Sequence, residues 1–235
     1  MRDRQYTILA TASIPFERIL QKPETVEIQM IPFIEILPRQ NEQLIKQIHR
    51  LATEKNTVVF TSANAVRWAT GMLTQKPDWI IYCIRYETRI AVEKWFGKEY
   101  ILKTADNAKD LSELILVDKI KEAVFFCGDQ RLDILPDILK KNGVKLTELI
   151  VYETRRTPIR IENQPDAILF FSPTAVKSFF SMNALSSATT LFAMGKTTAV
   201  TLKQFTSLPV IISPEADKSF VLNMAIEHAS SHPIT

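Results

Sequence analysis

The chain has 235 residues, 46% of them hydrophobic and 23% charged, with a formal net charge of +3. That balance belongs to a soluble globular protein with one large core or two small ones, and it demands neither a nucleic-acid coat nor a polybasic membrane anchor. No run approaches the roughly 20 apolar residues of a membrane span.

The opening "MRDRQYTILATASIPFER" holds a first buried strand at "YTILA", but its apolar run is broken early and then by Pro15, Glu17 and Arg18. No secretory core forms, and a cytoplasmic protein is expected. The next segment, "VEIQMIPFIEILP", reads as a second strand ending near Pro38. Then "VVFTSANAV" (58–66) runs from β-rich residues through Ser62 into a helical pattern, so Ser62 is a candidate N-cap. "IIYCIRYETRIAVEKW" (80–95) and "YILKTADNAKDLSELI" (100–115) each give a strand and a helix. A short unit follows: the strand "EAVFFCG", a helix or loop in "DQRLDILPDILKKNG", and the strand "VKLTELIVYETRR".

The pattern of 58–66 returns at 168–176 as "ILFFSPTAV", with Ser172 as the cap and Pro173 where a missing N–H does no harm. A shift of 110 residues places Phe60 on Phe170, Ser62 on Ser172, Ala65 on Ala175, Val66 on Val176 and Thr88 on Thr198. The register holds without a gap for about sixty residues, which marks a duplicated supersecondary unit and not a many-repeat solenoid. The alternation of strand and helix predicts an α/β fold built on parallel sheets. Short and long units alternate along the chain, and consecutive or swapped pairing of the units satisfies the pattern equally. "EILPRQNEQ" and "ETRRTPIRIENQPD" are polar, Pro-containing candidate linkers.

Several chemistries are disfavoured. The five glycines never take the G-x-G-x-x-G spacing, and "GKTT" (195–198) has Thr190 where a phosphate loop needs Gly, so no nucleotide cofactor is expected. Cys83 and Cys127 sit in separate apolar runs, as small buried hydrophobes. His228 and His232, four apart, fall in a polar tail better read as a frayed terminus than as a metal site.

Taken together, "FTSANAV", "FFCGDQRLDILPDIL", "VYET" followed by Pro158, and "GKTT" before a helix resemble the uroporphyrinogen-III synthase family over nearly the whole chain. Each motif is weak alone; their order and duplication carry the likeness. The resemblance implies two parallel-sheet α/β domains of related architecture, one from about 1–36 with 164–235 and the other from 40–154. The linkers would be 37–39 and 155–163. It implies a monomeric lyase without metal or cofactor, binding neither nucleic acid nor membrane, that cyclises the octacarboxylate hydroxymethylbilane with inversion of the last ring and loss of water.

Under that resemblance Tyr152 matches the family's cleft tyrosine, proposed to help the hydroxyl leave as water, with a core-packed strand-end ring as its alternative. Ser62, Asn64, Ser172, Thr174, Gly195, Thr197 and Thr198 would face the substrate from strand-to-helix corners, with simple capping as the alternative for each. Lys196 and Arg131 would attract carboxylates or be ordinary surface charge. The chain departs from the family at "ATA" (Ala10–Ala12), where the rim loses an arginine. It departs again at Arg85, which replaces a corner glycine and supplies a charge instead; a glycine-only backbone there would be lost. A non-catalytic tetrapyrrole or polycarboxylate sensor on the same fold is the main rival. A periplasmic-type anion-binding protein and an α/β interaction scaffold rank lower.

Overall fold

A computed structural model describes residues 4–14 and 22–231. In chain order it contains β1 (Tyr6–Ala10), β2 (Val26–Met30), β3 (Ile34–Pro38), α1 (Glu42–Ala52), β4 (Asn56–Phe60), α2 (Ala63–Gly71), β5 (Trp79–Ile84), α3 (Glu87–Trp95), β6 (Ile101–Ala105) and α4 (Ala108–Val117). Then come β7 (Glu122–Gly128), α5 (Ile134–Lys141), β8 (Lys145–Arg156), β9 (Ala167–Phe170), α6 (Pro173–Phe180), β10 (Thr190–Ala193), α7 (Lys196–Leu202), β11 (Val210–Ile212) and α8 (Lys218–Ser231). None of the described helices is long and apolar enough to cross a membrane.

The strands form two sheets, ordered β11-β10-β9-β1-β2 and β3-β8-β7-β4-β5-β6. The 110-residue shift carries β4, β5 and β6 onto β9, β10 and β11. Reading the second sheet backwards from β6 therefore gives β6-β5-β4-β7-β8, the order of the first sheet with β7 and β8 in the places of β1 and β2. Of the two pairings open to the repeat, the sheets show the swapped one. β1 pairs in parallel with β2 and β9, and β7 in parallel with β4 and β8. Parallel pairing across crossover helices is the solution expected when both faces of a strand are apolar.

The contacts divide the chain into two compact units, Met1–Glu35 with Arg155–Thr235 and Ile36–Thr154. The segment "VEIQMIPFIEILP", read as one strand, is two. It breaks at residues 31–33 around Pro32, so that β2 ends in the five-stranded sheet and β3 lies in the six-stranded one. The segments expected as linkers are in part strand, since 37–38 belong to β3 and 155–156 to β8. β3 lies beside β8, and the Arg39 N–H to Val151 O and Thr157 N–H to Phe33 O bonds, each 3.0 Å, give the pair an antiparallel sense. The apolar residues of "IEIL" and the continuous apolar run "LIVY" explain why pairing wins over loop.

Each sheet has a core on both faces. In Ile36–Thr154, Val58, Phe60, Ile81, Cys83, Val124, Phe126, Leu149 and Val151 pack with α1, α2 and α3, while Val59, Tyr82, Phe125 and Cys127 pack with α4 and α5. In the other unit Leu9, Ile168, Phe170 and Leu191 face α6 and α7, and Ile8, Leu169 and Phe192 face α8. Burial pushes the thiols of Cys83 and Cys127 up to about 12, as expected of structural cysteines. His228 lies edge-on to Phe192, and His232 falls outside the described residues.

One packing defect yields a test. Ser178 in α6 is fully buried, and its hydroxyl is the one buried side-chain oxygen or nitrogen without a partner among the described residues. Ser178→Ala removes that unsatisfied group with little change in volume and favours the helix, so it is expected to stabilise the protein by about 1 kcal/mol. All three tryptophans, Trp68, Trp79 and Trp95, lie in the other unit. Urea unfolding should therefore be followed by far-UV circular dichroism, where an unchanged or lowered midpoint contradicts the expectation.

Candidate functional site

In the six-stranded sheet β7 lies between β4 and β8. The three strands are parallel, so their carboxyl ends emerge on one edge, the edge where open α/β sheets bind ligands. β4 leads through Thr61 to Ser62, whose Oγ caps α2 by accepting from the Asn64 N–H at 3.2 Å. The Tyr152 hydroxyl, arriving from β8, donates to the same Oγ at 3.1 Å. A residue two strands away from β4 thus reaches over β7 to its end.

Two features of β7 and β8 make that reach possible. The β7–β8 register pairs Cys127 with Ile150 but Gly128 with Tyr152, so Val151 is an extra residue, a bulge. Without it, alternation would put Tyr152 on the face of Ile150, towards α4 and α5; with it, Tyr152 joins Leu149 and Val151 on the face packed by α2. The second feature is Gly128, buried at the carboxyl end of β7. A Cβ there would stand 2.4 Å from Cε2 and Cζ of Tyr152 and 2.8 Å from its hydroxyl oxygen. The phenol lies over the glycine.

Asp129 fixes the backbone around the tyrosine: its N–H donates to the Tyr152 carbonyl at 3.1 Å, and its Oδ1 accepts from the Thr154 N–H at 2.8 Å. Burial pushes the Tyr152 phenol above its ordinary value; the Ser62 hydrogen bond offsets part of that, and the negative charge of Asp129 adds to the rise. The group is a neutral donor at physiological pH.

The other predicted residues are distributed as follows. Asn64 is half-buried in the first turn of α2, its Oδ1 3.4 Å from the Arg67 guanidinium. Arg85, after β5, is exposed and pairs with Asp106 at 3.1 Å. Ser172 caps α6 by accepting from the Ala175 N–H at 3.1 Å, and Thr174 is half-buried beside it. After β10, Gly195 precedes α7, where Lys196 and Thr197 are exposed and Thr198 is buried. Ser62, Asn64 and Tyr152 therefore form one group in Ile36–Thr154. Ser172, Thr174, Gly195, Lys196 and Thr197 line the ends of the adjacent strands β9 and β10 in the other unit.

Two expectations change, and the Ala10–Ala12 corner gains a structural role. Gly195 has φ −172°, extended backbone open to any residue, and an added Cβ would meet nothing within 4 Å. Arg85 in the matching position therefore forfeits no glycine-only conformation, and the left-handed residue of that corner is Tyr86, at φ 64°. Arg131 is neither a free carboxylate attractor nor solvated charge, because it is paired with Glu148 and, at 2.8 Å, with Asp133. In the "ATA" corner the middle residue, Thr11, is fully buried and donates to the Leu169 carbonyl at 2.7 Å, so it is a structural tie.

Residues 21–220 match the protein family described as uroporphyrinogen-III synthase HemD. The chain belongs to this family. Its members are enzymes of porphyrin and heme biosynthesis that act on a small tetrapyrrole. Among solved structures, the uroporphyrinogen-III synthetase of Helicobacter pylori is similar at 18% identity with a TM-score of 0.65, over 95% of this chain and 100% of that one. A mutant uroporphyrinogen III synthase of the extremely thermophilic bacterium Thermus thermophilus is similar at 13% identity and a TM-score of 0.62, over 96% and 99% of the two chains. At such identities the likeness is one of fold. A comparison with curated proteins gives no match.

Within the family frame, the residues that sequence reasoning missed are Gly128, Val151 and Asp129. "FFCGD" reads as an ordinary strand end, and no spacing in a single chain shows that Gly128 will lie under a residue 24 positions later (152 − 128).

Proposed function

We propose that this protein closes hydroxymethylbilane to uroporphyrinogen III, with Tyr152 as the donor at the departing hydroxyl and no metal or cofactor taking part. The observation that carries the reading is the Tyr152–Ser62 pair, a half-buried neutral phenol tied to a helix-capping serine at the ligand-binding edge of a parallel sheet. Substrate and product differ by one water, so the chemistry is redox-neutral. A C–O bond breaks and a C–C bond forms at the hydroxymethyl carbon; turning the last ring over also breaks the C–C bond between that ring and its methylene bridge and remakes it at the ring's other α-carbon, which loses its proton.

Expulsion of the hydroxyl is driven by the electron-rich pyrrole, and the leaving oxygen becomes more basic as its bond lengthens. A phenol above its ordinary pKa is a poor acid towards the resting alcohol but a suitable donor to that developing base. When the Tyr152 O–H turns to the substrate, the Ser62 O–H can turn to the phenol oxygen, with the heavy atoms still 3.1 Å apart. The Asn64 N–H, already donating to Ser62 Oγ, polarises that serine. Each unit by itself offers groups that suit carboxylates at its sheet edge: the N–H groups at the start of α2 in Ile36–Thr154, and those at the start of α6 with the exposed Lys196 and Thr197 in the other. Thr198 is buried and packs instead.

The test is product analysis. Free hydroxymethylbilane closes without help to the symmetric type I ring, so the expected result is mainly type III with no added metal or nucleotide. It should form more slowly at high salt, because part of the capture is electrostatic. Type I alone, at the uncatalysed rate, overturns the reading, and tight binding in that case identifies a sensor.

A further inference from the structure

We infer that Gly128 is a positioning residue for Tyr152: the missing side chain at 128 is the space that lets the phenol cross β7 to Ser62. The inference rests on the catalytic role proposed for Tyr152. The usual reason for a glycine does not apply, since the left-handed glycines are Gly97 and Gly143, and Gly128 has a backbone that other residues adopt. What excludes a side chain is the ring. The three atoms nearest an added Cβ are all at the hydroxyl end of Tyr152, two of them at 2.4 Å, closer than real Cβ contacts come.

The ring cannot yield in place. Its backbone is held by Asp129, through the Tyr152 carbonyl and the Thr154 N–H that follows, and its hydroxyl is held by Ser62. Moving the ring far enough to admit a methyl group lengthens the bond to Ser62, already 3.1 Å. Bulge and glycine therefore act together: the extra Val151 turns Tyr152 to the α2 face, and Gly128 leaves the path to Ser62 open. Even one methyl group at 128 moves the donor away from where it is required, and catalysis is sensitive to displacements of about 1 Å.

The experiment compares Gly128→Ala, Tyr152→Phe and the double variant, with Gly71→Ala as control because an added Cβ there meets nothing. In Gly128→Ala, kcat is expected to fall about tenfold with KM little changed, the pattern of a lost transition-state contact. In the double variant the glycine change is expected to add nothing to the loss caused by Tyr152→Phe. Ultraviolet titration supplies a readout independent of turnover. The tyrosine ionisation absent from Tyr152→Phe should shift in Gly128→Ala further above the ordinary phenol value, because lengthening the Ser62 bond weakens the interaction that lowers it.

A folded Gly128→Ala with wild-type kcat and an unmoved ionisation overturns the inference, as does a loss that multiplies with that of Tyr152→Phe. If Tyr152→Phe alone leaves kcat unchanged, the proposed role of the phenol fails, and the titration still decides whether Gly128 positions the ring. If Gly128→Ala does not fold, the glycine change is moved into a Tyr152→Ala background. There it should cost no melting temperature once the ring is gone, and a loss as large as with the ring present overturns the inference.

Discussion

Phe126→Ala is expected to destabilise the unit Ile36–Thr154 by about 3–5 kcal/mol, among the largest costs that deletion of a core side chain carries. Phe126 is fully buried on β7 and stacks on Phe60 with ring centroids 5.3 Å apart and planes 14° from parallel. Its other neighbour is Trp79, at 5.5 Å. Phe60 and Trp79 both meet Phe96, so removing Phe126 opens the centre of an aromatic cluster, where few atoms can relax into the space. Because all three tryptophans lie in this unit, their fluorescence reports its unfolding directly. With urea slopes of about 1–3 kcal/mol/M, the fluorescence midpoint should fall by about 1 M or more. A fall corresponding to under about 1 kcal/mol would mean that the cluster collapses onto the gap.

The same aromatic run shows why so much of the fold could be read from the sequence. "VVF", "AVFFC" and "ILFF" are apolar on consecutive residues because these strands are covered on both faces, and such runs between capping serines or turns read as buried strands. The gapless shift of 110 residues then fixed which elements correspond, and both serines of the repeat do cap their helices. The break between β2 and β3 was hidden because Ile31 and Phe33 continue the apolar pattern on either side of Pro32. Only the two sheets show that the chain changes partner there. In the short unit the segment left as helix or loop is α5, where Pro136 sits in the first turn and costs no intrahelical hydrogen bond.

The site was legible in its residue types and hidden in its geometry. A serine before a helix and a tyrosine late in a strand are visible one by one, but their meeting depends on β7 lying between β4 and β8 and on a one-residue bulge. Neither is written in local propensity. Charged groups were the least legible: Arg85 and Arg131 look free in the sequence, while Asp106, Asp133 and Glu148 engage them in the fold. Their partners lie 21, 2 and 17 residues away in the sequence (106 − 85, 133 − 131, 148 − 131), so the separation says little about which charge remains available.

Tyr152→Phe is expected to lower kcat by about 10- to 100-fold, the scale of a single assisting donor, with KM changed far less. The substitution removes one oxygen and leaves the ring, so packing over Gly128 and against the α2 face survives and the variant should fold. What it loses is the proton held ready beside Ser62. The pH profile gives a second check whose sign follows from the raised pKa. A donor acts while protonated, and burial keeps this phenol protonated beyond the ordinary value of about 10, so Tyr152 contributes no alkaline fall in kcat between pH 7 and 9. Wild type and Tyr152→Phe should therefore run parallel across that range, separated by a constant factor. A factor near one in a folded variant removes Tyr152 from the chemistry. A wild-type profile that falls towards pH 9 while the variant stays flat would mean that the phenol ionises early, and that burial does not govern this site.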